Sequence, residues 1–284
     1  MRLADHERDI AERLHKAGVD SPRLCARLLC AHALGLDKLG VALLPERPLS
    51  AAESDRLEAL AARRATGEPL AHILGKREFF SRDFRVTRHT LVPRPETELL
   101  VETALELLPP TPVDFVDLGA GGGCIGLTLV CERPAWRGIL LEASAEALAV
   151  ARENAVALLP PGEDARIALA RGDLFAPPLR EHSFDLVISN PPYIGESERG
   201  EVMDEVLRFE PAAALFSPRG GLAHLAAVCA GARRLLRRGG HVIVEHGAGQ
   251  GAAVRGLLAA EGLDGPRTRA DLAGHARCTV ARRR

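Results

Sequence analysis

From Val113 onward the chain alternates short apolar runs with stretches of helical period, and this alternation limits its fold more than any other feature. Strands are expected at residues 113–118, 138–142, 166–170, 184–189 and 241–246, with helices near 126–132, 145–158, 221–238 and 249–260. Such a series predicts an α/β architecture, a mostly parallel sheet covered by helices on both faces. Ligands of open α/β sheets bind outside the carboxyl ends of the strands. The residues that follow each apolar run are therefore where chemistry is sought.

The first 75 residues follow a different pattern. Ile10, Leu14 and Ala17 share one helical face, and Gly18 can end that helix. Ser21-Pro22 reads as an N-cap followed by proline at the first helical position, opening a helix that stops near Gly35. Ser50 with Glu53 forms a capping box for a helix running to about Ala65, after which Gly67-Glu68-Pro69 breaks the pattern. Between residues 77 and 92, Glu78-Phe79-Phe80-Ser81-Arg82-Asp83-Phe84-Arg85-Val86 suggests a short hairpin. Pro93-Arg94-Pro95-Glu96-Thr97-Glu98 leads into a helix through about Leu108, with acids in its first turn. The expected organisation is a small all-helical domain at 1–75, a hairpin linker at 76–93 and an α/β domain at 94–284.

Charge and cysteine usage narrow the function class. A net charge of −1 over 284 residues gives no global field toward nucleic acid or an acidic membrane. Cys25, Cys30, Cys124, Cys131, Cys229 and Cys278 show no paired metal-ligand spacing and read as reduced thiols, so no metal site is expected. No apolar stretch reaches membrane-spanning length, and Asp5, Glu7, Arg8, Asp9 and Glu12 are unlike a signal peptide. A cytoplasmic location is the expectation.

Two motifs carry the chemistry. Asp117-Leu118-Gly119-Ala120-Gly121-Gly122-Gly123-Cys124-Ile125-Gly126 follows the first strand of the α/β domain and opens a helix. Its glycines allow positive φ and close approach of a ligand. Glu142, at the end of the next strand, is placed to accept two hydrogen bonds from a ribose diol. A glycine loop with an acid about twenty residues on also describes a dinucleotide site. Here the order Asp-x-Gly-x-Gly-x-Gly differs from that fingerprint, and Asp117 suits a cationic amino-acid end better than a diphosphate; S-adenosylmethionine fits. The second motif, Asn190-Pro191-Pro192-Tyr193, ends the apolar run at 184–189. It offers an amide, a backbone carbonyl with no N–H at the next residue, and an aromatic ring. Together these can hold a planar –NH2 by both protons and cover its face. The tetrad by itself fits an amide or a nucleobase amine.

These segments resemble the HemK/PrmC family of protein-(glutamine-N5) methyltransferases that modify peptide chain release factors. The resemblance spans nearly the whole chain and rests on Gly67-Glu68-Pro69-Leu70-Ala71-His72-Ile73-Leu74-Gly75, on Leu91-Val92-Pro93-Arg94-Pro95-Glu96-Thr97-Glu98, on the glycine loop, and on Asn190-Pro191-Pro192-Tyr193-Ile194 and Arg208-Phe209-Glu210-Pro211. It implies a class I S-adenosylmethionine-dependent methyltransferase domain, Rossmann-like and seven-stranded, with an antiparallel member near the end and a final strand at 278–282. It implies catalytic roles for Asn190, Pro191 and Tyr193, with Pro192 completing the substrate contacts. It also implies that Asp117, Gly119, Ala120, Gly121, Gly122, Gly123, Glu142, Asp173, Leu174 and Asn190 hold the methyl donor. Leu174 stands where several members carry tryptophan, so it offers apolar contact without stacking. The implied substrate is the glutamine of the release factors' Gly-Gly-Gln loop, docked by the helical domain onto a monomeric enzyme. Alternatives with the same tetrad are a ribosomal-protein glutamine methyltransferase and a DNA adenine methyltransferase; a non-catalytic translation-factor binding module is a further one. Arg94, Glu96 and Glu98 are read either as a solvated helix start or as substrate-docking residues, and Arg208 and Glu210 either as bracing the active-site loop or as touching substrate.

Overall fold

The computed structural model describes residues 2–162 and 164–284, and its chain divides into two units by internal contact. One comprises Met1–Lys76 with Met203–Phe209; the other comprises Arg77–Val202 with Glu210–Arg284.

The helical unit holds α1 (Leu3–Lys16), α2 (Pro22–Leu34), α3 (Lys38–Leu43), α4 (Ala51–Ala65) and α5 (Leu70–Leu74). α1 buries Leu3, His6, Ile10 and Leu14, the stripe that a 3.6-residue period requires. α4 begins with the expected capping box: Ser50 N–H donates to Glu53 Oε2 at 2.9 Å and Glu53 N–H donates to Ser50 Oγ at 3.3 Å. Ser21, in contrast, is not an N-cap. Its backbone is left-handed, with φ 51°, and its side chain bonds nothing at the helix start, so Pro22 opens α2 without it. The break at residues 67–69 is real but short. Gly67 turns with φ +92°, and Pro69 immediately precedes the five-residue α5. Leu3, Ile10, Leu14, Leu29, Leu57 and Ile73 share one core. Buried Arg64 donates to the Glu68 carbonyl at 2.7 Å and pairs with Glu205 at 2.8 Å, which ties α9 (Asp204–Phe209) into this unit.

The second unit opens with a hairpin, β1 (Lys76–Phe79) and β2 (Arg82–Arg85). Phe80 and Ser81 at its tip both have positive φ, the shape of a two-residue turn that usually takes glycine or asparagine. The Phe80 N–H donates to Glu98 Oε1 at 2.8 Å, which anchors the tip. A 3-10 turn at Pro95–Thr97 then leads into α6 (Glu98–Leu107). The sheet follows, with β3 (Asp114–Leu118), β4 (Arg137–Glu142), β5 (Ile167–Arg171), β6 (Phe184–Ser189), β7 (Leu236–Glu245), β8 (Asp264–Ala270) and β9 (Ala276–Arg282). Its order is β5-β4-β3-β6-β7-β9-β8, parallel throughout except for β9, as the family resemblance implied. Connecting helices are α7 (Cys124–Glu132), α8 (Ala145–Leu158), α10 (Leu222–Leu235) and α11 (Gly251–Ala260).

Alternation along the strands feeds two cores. Phe115, Leu186, Ile188 and Ile243 face Leu100, Leu127 and Trp136 on one side. Val116, Val187, Val242 and Val244 face Leu225, Val228 and Leu258 on the other.

Two expectations are corrected, and one strand had no counterpart among them. The helix expected to reach residue 238 stops at Leu235, because Leu236 already pairs with Phe184 in the sheet. The strand expected at 166–170 starts one residue later, after a 3-10 turn at Asp164–Arg166. The edge strand β8 had no periodic apolar signal, since Gly265, Pro266, Arg267 and Arg269 interrupt it; an edge position tolerates proline. Among the described residues no helix is long and apolar enough to cross a membrane.

Gly138 lies opposite Phe115 in the β3–β4 ladder, and a Cβ there would sit 2.2 Å from the ring. Gly138→Ala is expected to cost about 1–3 kcal/mol in denaturant unfolding through overpacking. Gly256→Ala in α11, where a Cβ meets nothing within 4 Å, should stabilise by up to about 1 kcal/mol through helix propensity. Equal effects of the two substitutions would refute the packing account.

Candidate active site

Strand order reverses between β3 and β6, since β3 pairs with β4 on one side and β6 on the other. The chain segments leaving the carboxyl ends of these strands line the crevice that such a switch point creates.

The loop after β3 is shaped by its glycines. Gly119, Gly121 and Gly123 have φ of +75°, +55° and +84°. The N–H groups of Gly119 and Ala120 both donate to the Leu141 carbonyl, at 2.8 and 3.0 Å, pinning the loop to the end of β4. Glu142 follows at once. Its Oε2 accepts from the Gly121 N–H and its Oε1 from the Ser144 N–H, each at 2.9 Å. Gly122 is held by its carbonyl, which accepts from Asn154 Nδ2 at 2.9 Å, while the same asparagine bonds the Arg85 backbone. Leu174 lies over the loop, 3.8 Å from where a Gly119 Cβ would be. Asp173 accepts from the Phe175 N–H at 2.9 Å and shapes the turn after β5.

Asp117 is fully buried beneath the loop. Its Oδ2 accepts from the Gly126 N–H at 3.1 Å, whereas Oδ1 has no hydrogen-bond partner. Burial pushes its carboxyl up to about 7, the Gly126 N–H opposes that rise, and the charge of Glu142 adds to it. A buried acid with an orphaned oxygen, a neighbouring carboxylate and a glycine loop in left-handed backbone are complementary to a ligand with an ammonium group and a diol. S-adenosylmethionine has both, so the residues present fit it.

The tetrad lies across the switch point. Asn190 Nδ2 donates to Thr97 Oγ1 at 3.1 Å, which leaves Oδ1 for a ligand. The Tyr193 carbonyl accepts from Gln250 Nε2 at 2.9 Å, and its phenol donates to Glu245 Oε1 at 3.4 Å. Ile194 is stitched to the 215–217 segment by Ile194 N–H to the Leu215 carbonyl at 3.0 Å and Ser217 N–H to the Ile194 carbonyl at 2.8 Å. Gly221, with φ +86°, permits this closeness: a Cβ there would meet the Tyr193 carbonyl at 2.1 Å. Glu210 braces the approach. Its carboxylate accepts from the Val92 N–H at 3.0 Å and pairs with Arg94 at 2.6 Å. Arg208 instead belongs to the helical unit, donating to the Thr66 carbonyl at 2.9 Å.

Two residues here escape a reading of the sequence. Thr97 stands out only as part of a longer segment, and Glu245 ends an apolar strand run with no motif around it. An acid at the carboxyl end of a buried parallel strand is the one signal that could have found it. Burial pushes Glu245 up to about 7, while the Thr97 and Tyr193 hydroxyls and Arg277 favour its charged form.

Residues 8–75 match the family model described as the PrmC N-terminal domain, and residues 95–238 match the methyltransferase small domain. The chain is similar to the release factor glutamine methyltransferase of Nitratidesulfovibrio vulgaris, being 46% identical across 97% of this chain and 93% of that protein. The protein of the same name from Cereibacter sphaeroides is 44% identical across 99% of each. Among solved structures, the hMettl16 catalytic domain in complex with MAT2A 3'UTR hairpin 6 aligns with a TM-score of 0.59 over 78% of this chain and 81% of that one; at 15% identity this is a likeness of fold alone.

Asp117 yields a pH test on the ligand-free protein. Its folded value lies above the ordinary 3.8, so its contribution to stability is complete below that value and is lost as pH rises through about 7. Asp117→Asn should therefore gain stability relative to the parent as pH rises from about 5 to about 8 in chemical unfolding. A difference that stays constant across that range would refute the buried-acid account.

Proposed function

Because this chain belongs to the release factor glutamine methyltransferase family, we propose that it transfers a methyl group from S-adenosylmethionine to the side-chain amide nitrogen of the Gly-Gly-Gln glutamine in peptide chain release factors. Methyltransferase chemistry comes with the family. The observation that best supports an amide nitrogen as acceptor is Asn190, whose NH2 is taken by Thr97 so that its Oδ1 is left for a donor.

When bound, the donor supplies an electrophilic methyl on a sulfonium. Gly119 to Gly123 would hold its methionine portion, Asp117 its ammonium, Glu142 its ribose hydroxyls, and Asp173 and Leu174 its adenine. The acceptor is a poor nucleophile because its lone pair is delocalised into the carbonyl. Its two N–H groups donate to Asn190 Oδ1 and the Pro191 carbonyl, which fixes the nitrogen's direction and raises its electron density. Pro192 and Tyr193 wall the site against water. Orientation of this kind supplies up to ~7–11 kcal/mol of barrier reduction in well-aligned systems. The methylated nitrogen is strongly acidic and releases its proton to solvent without a dedicated base. The six free cysteines suit a reducing compartment, and the reading places the enzyme in the cytoplasm.

The helical unit docks the protein substrate in this reading. Leu39 and Leu43 of α3 are 64% and 69% exposed, which is unusual for leucines unless something covers them. Leu39→Asp with Leu43→Asp should raise KM for intact release factor about tenfold or more, as loss of apolar contact implies, while donor affinity holds. An unchanged KM would remove α3 from the docking surface.

Asn190→Ala should abolish transfer while donor affinity, measured by calorimetry, stays within severalfold. Mass spectrometry of release factor treated with the native enzyme should place the new methyl on the Gly-Gly-Gln glutamine. A methyl found on a ribosomal protein instead, or near-normal turnover by the variant, would overturn the assignment.

A further inference from the structure

The Leu118–Gly119 peptide, where β3 gives way to the glycine loop, is bonded on both sides. Its N–H, from Gly119, donates to the Leu141 carbonyl of β4 at 2.8 Å. Its carbonyl, from Leu118, accepts from the Ser189 hydroxyl of β6 at 2.6 Å. Ser189 is the last residue of β6, so Asn190 follows it directly. One hydroxyl therefore joins the residue before the glycine loop to the residue before the tetrad.

This bond lies beyond the backbone ladder. The β3–β6 register runs Phe115 with Leu186, Val116 with Val187 and Asp117 with Ile188, while Ser189 goes on to pair with Val244 of β7. After Asn190 come Pro191 and Pro192, which have no N–H with which to extend a ladder. The Ser189 side chain thus supplies one more rung at the point where both segments leave the sheet. Ser189 and Leu118 are each 0% exposed, so water does not compete for it. The other bonds of the tetrad run elsewhere, Asn190 Nδ2 to Thr97 and the Tyr193 carbonyl to Gln250.

Direct displacement needs the acceptor nitrogen in line behind the methyl, and a misplacement of about 1 Å can cost about a hundredfold in rate. Here the acceptor is held by the residues that follow Ser189 and the donor by those that follow Leu118. A bond between these two residues is a bond between the supports of the two reactants. We propose that Ser189 is a positioning residue for methyl transfer, its hydroxyl fixing the separation of the glycine loop from the tetrad through the Leu118 carbonyl. This rests on the glutamine-methylating reading given above.

The test compares Ser189→Ala and Ser189→Cys with the parent on intact release factor. Cysteine refills the site with only a weak hydrogen-bonding group, so it restores packing but not the bond. Both variants should lower kcat by about tenfold to a hundredfold, with KM and the calorimetric affinity for S-adenosylmethionine little changed. Thr103→Val is the matched control, since buried Thr103 donates to the Leu99 carbonyl at the same 2.6 Å within α6, and it should keep the parent kcat. In labelled protein without ligands, the amide resonances of Gly119 and Asn190 should both shift in Ser189→Ala and hold still in Thr103→Val. Parent kcat in Ser189→Ala or in Ser189→Cys, a loss carried by KM or donor affinity, or an equal loss in Thr103→Val would each overturn the proposal. Should Ser189→Ala fail to fold, the kcat of Ser189→Cys decides. A parent protein inactive on release factor would fail the functional reading instead, and the paired resonance shifts would still decide whether the hydroxyl ties the two segments.

Discussion

Parallel pairing of β3 with β6, which sets Val116 opposite Val187 and Asp117 opposite Ile188, brings the glycine loop and the Asn-Pro-Pro-Tyr turn to the same edge of the sheet. Both strands are buried on both faces, so a slip of one residue would send valines into the wrong core and carry the two motifs apart. The remaining site residues are arranged around this register. β4 contributes Glu142 beside the loop, and β7 contributes Glu245 beside the tetrad.

Two buried acids flank the crevice, one under each motif, and each has an oxygen without a hydrogen bond. Burying a carboxyl without full pairing disfavours its charge. In Asp117 that unmet demand would suit the ammonium of a ligand. In Glu245 one oxygen accepts from the Tyr193 phenol of the tetrad, while the other has no hydrogen-bond partner. The same unmet demand thus stands on both sides of the switch point.

Much of this was legible in the chain because the signals were local. The capping box at Ser50 and Glu53, the glycine at the end of α2 and the apolar run of β6 depend on residues a few positions apart, and each formed as expected. Ser21 failed because its backbone turned left-handed, which no neighbouring residue announces. The end of α10 failed because Arg237 and Arg238 continue a helical pattern that the pairing of Leu236 with Phe184 overrides. Thr97 and Glu245 were illegible for a related reason. They are 148 positions apart in sequence and meet only through tertiary structure, so neither belongs to a motif that contains the other.

The two edges of the sheet are chemically unequal. β8 carries Pro266, which has no N–H to offer a newcomer, together with Arg267 and Arg269. β5, at the other edge, runs Ile167-Ala168-Leu169-Ala170 before its first charge at Arg171. Strand addition between molecules needs an apolar, uncharged edge. When the protein is concentrated or partly unfolded, self-association by this route is therefore directed to β5, the border farthest from the arginine-bearing strand.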